Sequence, residues 1–198
     1  MRIFVLSTGR SGTSTFVKAC KHMTNYTCGH ESNWSKIGVD RLTYPDHHIE
    51  VDNRLVWMLG RLDIRYGDDA FYVHLIRNKE DTIKSFNKRW KGKPSIIRAY
   101  AEDILVRDEM GLKECQDYYE TINSNIYLFL KDKNNKLQIH LNNISKDFEY
   151  FWETINGEGD LSKAVNELNK KHNKSKNHRK VTDTFNLYLW KFKKKFSK

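Results

Sequence analysis

The sequence has little cysteine and no long apolar run, and these shortages exclude several classes of protein. Its 198 residues include three cysteines, an odd number with no C-x-x-C pair. This pattern indicates neither a disulfide framework nor a metal site, so we expect reduced thiols and no metal. No apolar stretch is long enough to cross a membrane, and the chain opens on a strand-like run instead of a secretory signal. We therefore expect a cytoplasmic protein without a membrane span.

The formal charge is +10, but the positive charge is unevenly distributed. Residues 170–180 and 191–198 are strongly basic, whereas residues 102–120 carry an acidic excess. No helix-turn-helix, zinc-finger or RNA-binding motif accompanies the basic stretches, so we expect no nucleic-acid partner. Two interpretations of the basic C-terminal segment remain open: a solvated surface, or a patch that steers an anionic ligand.

The most informative stretch is residues 4–14, FVLSTGRSGTS. An apolar run at 3–6 predicts a buried strand, and helical spacing of apolar residues predicts a helix over 13–23. Between them, Gly9 and Gly12 allow a sharp turn and a close approach of the backbone to a ligand. A helix N-terminus behind such a turn binds phosphate or sulfate through its free N–H groups and its dipole.

This loop is not a standard ATP or GTP site. That motif requires lysine after the second glycine, but Gly12 is followed by Thr13 and Ser14. Arg10 lies between the glycines and supplies a fixed charge with several donors, which suits an oxyanion. On this segment alone, a strand-to-helix turn that binds nothing remains an alternative.

A second motif lies in residues 71–90, FYVHLIRNKEDTIKSFNKRW. The apolar and aromatic run at 71–76 is typical of a central parallel strand, and Asn78 can cap the helix that follows. Arg77 is then placed at the carboxyl end of a strand, with Ser85 eight residues later in the helix. Ligands of open α/β sheets bind at that edge.

Together the two motifs resemble the phosphosulfate loop and the 3'-phosphate motif of sulfotransferases that use 3'-phosphoadenosine 5'-phosphosulfate (PAPS). The first motif, with arginine before Ser-Gly-Thr, is similar to the corresponding loop of the carbohydrate and tyrosyl-protein branches of the family. The second motif departs from the family pattern at Lys79, where a proline is usual. The resemblance implies transfer of a sulfuryl group to a hydroxyl of a carbohydrate, small molecule or tyrosyl residue. It also implies that PAPS is bound by Arg10, Ser11, Gly12, Thr13, Ser14, Arg77 and Ser85.

We expect one α/β domain over residues 1–198, with a central, mainly parallel sheet flanked by helices as in the P-loop-like sulfotransferase fold. Residues from about 175 to 198 are expected to form a basic, mobile C-terminal segment. The apolar patterns predict strands at 3–6, 48–51, 71–76 and 137–141, helices at 55–65, 95–110 and 115–130, a further helix capped by Ser145, and a helix passing into a mobile loop over 166–180.

Sulfuryl transfer needs a base for the acceptor hydroxyl and positive charge near the leaving phosphate. We assign the charge to Arg10. For the base, the stretch CGHESNW at 28–34 presents His30 and Glu31 after the first helix. The tyrosyl-protein branch uses a glutamate in this region and other branches a histidine; Glu31 is our first choice and His30 the second. Alternatives are a structural role for both residues and a base from the second polar cluster, His47, His48, Glu50 and Asp52.

Two further function classes remain open. One is a small-molecule or nucleotide kinase with a degenerate P-loop, and the other is a basic binding module without catalytic activity. Magnesium dependence separates a kinase from a sulfotransferase, because phosphoryl transfer from ATP needs the metal.

Overall fold

The computed structural model describes residues 1–88, 95–109 and 111–170 of the chain. Within these ranges the contacts define two compact units. One comprises residues 1–78 and 120–170, and the other includes residues 79–88, 95–109 and 111–119. The single domain expected over residues 1–198 stays a prediction, because its basic C-terminal segment lies outside the described residues.

Five strands of the first unit form one sheet in the order β2-β3-β1-β4-β5, and every neighbouring pair is parallel. This arrangement confirms the predicted α/β fold. The strands predicted at 3–6, 48–51, 71–76 and 137–141 all lie in this sheet, as β1, β3, β4 and β5. The short β2 was not expected. The strands are β1 Arg2–Leu6, β2 Thr27–His30, β3 His48–Val51, β4 Ala70–Ile76 and β5 Lys136–His140.

Helices follow most strands, as the alternation of apolar patterns predicts. No helix in the described part of the chain is both long enough and apolar enough to cross a membrane. The α-helices are α1 Thr13–Cys20, α2 Leu59–Tyr66, α3 Lys79–Asn87, α4 Ile96–Ala99, α5 Leu112–Leu130, α6 Ile144–Thr154 and α7 Leu161–Asn169. Short 3-10 helices lie at Gly38–Leu42, Leu55–Trp57, Gly67–Asp69 and Leu141–Asn143, and a π-helical turn lies at Tyr100–Ile104.

The two faces of the sheet bury different side chains, because successive residues of a strand point to opposite sides. On one face, Val5 and its neighbours pack with Phe16 of α1 and Phe148 of α6, whose ring centroids are 5.3 Å apart. On the other face, Phe4 lies among tyrosine rings, including Tyr66 of α2 at 5.0 Å. The first face therefore fixes α1, and with it the loop that precedes α1.

Several predicted helix boundaries were wrong. The helix expected over 55–65 is interrupted at Met58, and the one expected over 95–110 is α4 followed by the π-helical turn. Ser145 does not cap α6: the helix begins at Ile144, and the Ser145 hydroxyl donates to Asn169 Oδ1 at 3.2 Å. Apolar spacing marks a buried face but cannot distinguish α-helical from 3-10 or π-helical turns. The helix expected from 166 is α7, which begins earlier, at Leu161; residues 171–180 lie outside the described part.

The second unit has an aromatic centre of its own. The Tyr118 ring of α5 contacts Phe86 of α3 and Tyr100, each at 5.2 Å between centroids. The nearly buried Arg98 guanidinium donates to Glu102 at 2.8 Å. These contacts hold α3, which carries Ser85, against the first part of α5.

Candidate functional site

The loop between β1 and α1, residues 7–14, is closed by its own hydrogen bonds; we call it the anion loop. The Gly9 amide donates to Ser7 Oγ at 3.1 Å, and the buried Ser11 hydroxyl donates to the Gly9 carbonyl at 3.2 Å. Arg10 and Gly12 have φ angles of 60° and 84°, in the left-handed region. Because its hydroxyl is used internally, Ser11 shapes the loop and has only its backbone to offer a ligand.

Helix α1 begins directly behind this loop. The amides of Thr15 and Phe16 donate to the Gly12 carbonyl at 3.0 and 2.9 Å, which sets the first turn. The side chains of Thr13 and Ser14 are half-exposed there. The first turn of a helix directs its N–H groups along the axis and carries the positive end of the dipole. An anion at this place would meet backbone donors and two hydroxyls.

The second motif reaches the anion loop through Arg77. This residue follows β4, which pairs with β1, and its Nη1 donates to the Arg10 carbonyl at 3.0 Å. Both arginines are half-exposed. Two motifs separated by more than sixty residues thus place their cations at the same edge of the sheet. Ser85 lies half-buried in α3, which belongs to the second unit. Its predicted role in binding the 3'-phosphate stays a prediction.

Two residues that the sequence did not single out support the loop. A Cβ atom at Gly9 would lie 2.9 Å from Asn53 Nδ2, and one at Gly12 would lie 2.8 Å from Leu141 Cδ1. Asn53 and Leu141 closely follow β3 and β5 in the chain. Binding residues of parallel sheets collect after the carboxyl ends of strands, so this position was the signal that could have identified them.

His30 lies beside the anion loop. It is the last residue of β2, and its Nε2 is 3.3 Å from the hydroxyl oxygen of Thr13. The side chain is exposed, so a ligand can approach the ring. The unexpected strand β2 brings the chain after α1 back to the carboxyl edge of the sheet.

Glu31 has a different environment although it is the next residue. Its φ is 53°, and its Oε2 accepts a hydrogen bond from Arg54 Nη1 in an ion pair. Arg54 was not predicted as a site residue, and like Asn53 it follows β3. The ion pair with Arg54 therefore competes with an acceptor hydroxyl for the Glu31 carboxylate.

The fold has counterparts among solved structures. A sulfotransferase domain from the curacin biosynthetic pathway matches with a TM-score of 0.58 and 13% identity, over 92% of this chain and 81% of that domain. Mouse sulfotransferase SULT7A1, complexed with PAP, matches with a TM-score of 0.54 and 16% identity, over 89% of this chain and 69% of its own. This chain has a sulfotransferase-type fold. The sequence itself matches no protein-family model and no curated protein.

Within this sulfotransferase-type fold, the second polar cluster does not form one site. His47 precedes β3, at the amino end of the strand, where its ring contacts Tyr26. Asp52 is fully buried and pairs with Arg41 at 2.5 Å; burial raises its pKa, although the Arg54 amide and the Arg41 charge oppose the shift. In the described ranges, no group of three or more His, Cys, Asp or Glu side chains could hold a metal ion.

Proposed function

We propose that this chain transfers a sulfuryl group from PAPS to a hydroxyl group of an acceptor. The observation that carries the proposal is the hydrogen bond from Arg77 to the Arg10 carbonyl, which joins the two motifs at one edge of the sheet. The donor set there consists of backbone amides, hydroxyls and guanidinium groups, which suits the phosphate and sulfate groups of PAPS.

Residues of both motifs have proposed tasks in binding PAPS. The amides of residues 11–14 with the hydroxyls of Thr13 and Ser14 would hold the 5'-phosphosulfate, and Arg77 with Ser85 the 3'-phosphate. PAPS would supply the activated sulfuryl group. Arg10 would stabilise the negative charge that develops on the leaving phosphate oxygen. The PAP ligand named for the SULT7A1 structure supports this choice of nucleotide. The cytoplasmic location and the absence of a metal stay predictions.

His30 and Glu31 are the two candidates for the base that takes the acceptor proton. The exposed His30 ring lies beside Thr13, whereas the Glu31 carboxylate is engaged by Arg54. Geometry therefore favours His30 over Glu31, which was the first choice from the sequence. The base must lie within hydrogen-bond reach of the acceptor hydroxyl.

Calorimetry with adenosine 3',5'-bisphosphate, ATP and ADP tests the choice of nucleotide. We expect the bisphosphate to bind without magnesium and more tightly than ATP. Tighter, magnesium-dependent binding of ATP would instead support the degenerate P-loop kinase. Failure of all three to bind the wild-type chain would overturn the proposal and leave a binding module of another kind.

Arg77→Ala tests recognition of the 3'-phosphate. We expect it to weaken the bisphosphate by about 2–5 kcal/mol, as for loss of a desolvated charge pair, and to change AMP affinity little. Since Arg77 also holds the Arg10 carbonyl, an equal loss for both ligands would mean that it supports the loop only. Arg2→Ala is the matched control: Arg2 begins β1, at the opposite end of the strand from the loop, and should change neither affinity.

His30→Gln and Glu31→Gln identify the base. The variant that lacks the base should lose about 10² to 10⁴ in turnover and keep its affinity for the bisphosphate. Arg10→Ala should lower both quantities, because its charge serves binding and transfer alike. If both glutamine variants turn over an accepted hydroxyl substrate at the wild-type rate, neither residue is the base.

A further inference from the structure

Glu50 is a fully buried acidic residue in the interior of the sheet. It belongs to β3, which lies between β2 and β1, and its side chain has no exposed surface. Burying a carboxyl group is costly unless each oxygen finds a partner. The partners of Glu50 therefore indicate what the residue does.

Both oxygens of Glu50 are engaged, and one of them reaches the chain after β2. Oε1 accepts a hydrogen bond from the Ser32 amide at 2.7 Å, and Oε2 lies 3.0 Å from His48 Nε2. The other ring nitrogen of His48 is 2.8 Å from Thr27 Oγ1. The carboxyl group thus links β3 to both ends of β2.

Only glycine fits at position 29, between the Glu50 carboxyl group and the turn at residues 30–32. A Cβ atom at Gly29 would lie 2.4 Å from Glu50 Oε2 and 2.1 Å from Ser32 Oγ. The glycine of the CGHE stretch is therefore required for the carboxyl group to reach the Ser32 amide.

The turn that receives this hydrogen bond carries both candidate bases. His30 ends β2, and Glu31 has a left-handed backbone, a conformation that is unfavourable for a non-glycine residue. The Glu31 amide donates to the Val51 carbonyl at 3.1 Å, and the Ser32 amide donates to Glu50. The two successive amides thus anchor the turn to β3.

We propose that Glu50 is a positioning residue of the sulfuryl-transfer site. Its hydrogen bond to the Ser32 amide fixes the turn at residues 30–32, and this turn holds His30 beside Thr13 and Glu31 beside Arg54. The inference rests on the proposed function in one respect, namely that the turn carries the base. A displacement of about 1 Å at a reacting group can cost on the order of 10² in rate.

The test compares Glu50→Ala with Glu50→Gln. The alanine variant removes the acceptor and should lower kcat by roughly 10- to 100-fold, while the KM for PAPS and the affinity for adenosine 3',5'-bisphosphate stay within about twofold. Glutamine retains an oxygen for the Ser32 amide and an N–H group for His48, so it should restore most of kcat. Loss of nucleotide affinity in parallel with kcat, or no rescue by glutamine, would overturn the positioning role.

Leu62→Ala is the matched control for general destabilisation. Leu62 of α2 is fully buried and lies outside the apolar cluster that packs against α1, so its truncation lowers stability without touching the turn or the anion loop. We expect its kcat to stay near the wild-type value at temperatures where the variant is folded. An equal loss of kcat in Leu62→Ala and Glu50→Ala would mean that only stability matters.

Amide hydrogen exchange gives a second measurement that needs no acceptor substrate. In the wild-type protein the Ser32 amide should be protected, and in Glu50→Ala it should exchange at least about tenfold faster relative to Val73 in β4. An unprotected Ser32 amide in the wild type overturns the inference even if Glu50→Ala fails to fold. If the wild type does not bind the bisphosphate, the proposed function fails, and the exchange measurement still tests the contact.

Discussion

The two faces of β3 bury opposite kinds of side chain. Ile49 and Val51 point into the apolar cluster that contains Phe16 of α1. On the other face, His48 and Glu50 contact each other, and the His48 ring stacks on Tyr44. The apolar face fixes the helix that carries the anion loop, whereas the polar face fixes the turn that carries His30 and Glu31. One short strand therefore positions both halves of the candidate site.

The two faces also differ in how they respond to change. Apolar packing weakens gradually as methyl groups are removed, with a cost that follows the lost contact and the cavity. A buried polar network depends on complete pairing, because removal of one partner leaves the other desolvated and unsatisfied. Substitutions on the polar face should consequently have larger effects than conservative ones on the apolar face.

Arg41→Leu should give the largest loss of stability. Arg41 and Asp52 are nearly or fully buried and 2.5 Å apart, so the substitution leaves a desolvated carboxylate without its charged partner. We expect a loss of about 3–5 kcal/mol in urea denaturation, against about 0.5–1.5 kcal/mol for Ile49→Val on the apolar face.

The double variant Arg41→Leu/Asp52→Leu serves as the control for this prediction. It removes both charges together and should recover much of the lost stability. A loss below about 1 kcal/mol in Arg41→Leu alone would instead show that the Arg54 amide, which donates to Asp52 at 2.7 Å, is sufficient to hold the carboxylate.

His74 extends the comparison to a buried polar group that has no charged partner among the described residues. It lies in β4, bonds Asn123 Oδ1 at 2.9 Å and contacts the Tyr127 ring. Burial lowers its pKa to about 4, with the His140 charge acting in the same direction and the Asn123 hydrogen bond opposing. The folded protein therefore keeps His74 neutral at pH values where the unfolded chain takes up a proton.

This shift predicts a loss of stability in acid. The contribution of His74 is complete above its unfolded pKa of about 6.5 and decreases as the pH falls toward 4, by about 3 kcal/mol in total. Urea denaturation of the wild type and His74→Gln across this interval measures the difference. Parallel stability curves for the two proteins would show that His74 does not titrate as described.

The parts of the molecule that could be predicted from sequence are those encoded locally. In each of the two motifs an apolar strand is followed directly by the polar residues of interest: β1 by the anion loop, and β4 by Arg77. Both strands and both polar segments lie where expected. β2 escaped prediction because Thr27–His30 is a short edge strand that buries none of its residues fully. β2 depends on its pairing with β3, and no sequence pattern within Thr27–His30 predicts this pairing.

The two ion pairs, Arg41–Asp52 and Arg54–Glu31, could not be predicted for a related reason. Arg41 and Arg54 lie in stretches that read as surface loop, and their partners Asp52 and Glu31 are 11 and 23 residues away. A pair of this kind forms only after the strands have set the geometry. The preference for His30 over Glu31 likewise required the contacts with Thr13 and Arg54, since the two residues are adjacent in the sequence.

Gly12→Ala should have a smaller effect, and it tests the apolar support of the anion loop. Gly12 has a φ of 84°, and a new Cβ atom would lie 2.8 Å from Leu141 Cδ1, the end of a flexible side chain.

Gly38→Ala is the matched control, because Gly38 has a φ of 59° and nothing lies within 4 Å of its Cβ position. Both alanine variants should lose roughly 1–2 kcal/mol to the left-handed backbone, and Gly12→Ala up to about 1 kcal/mol more as Leu141 moves. Only Gly12→Ala should also weaken adenosine 3',5'-bisphosphate, because Gly12 belongs to the anion loop and directly precedes α1. Equal nucleotide affinity in the two variants would place the phosphosulfate site elsewhere.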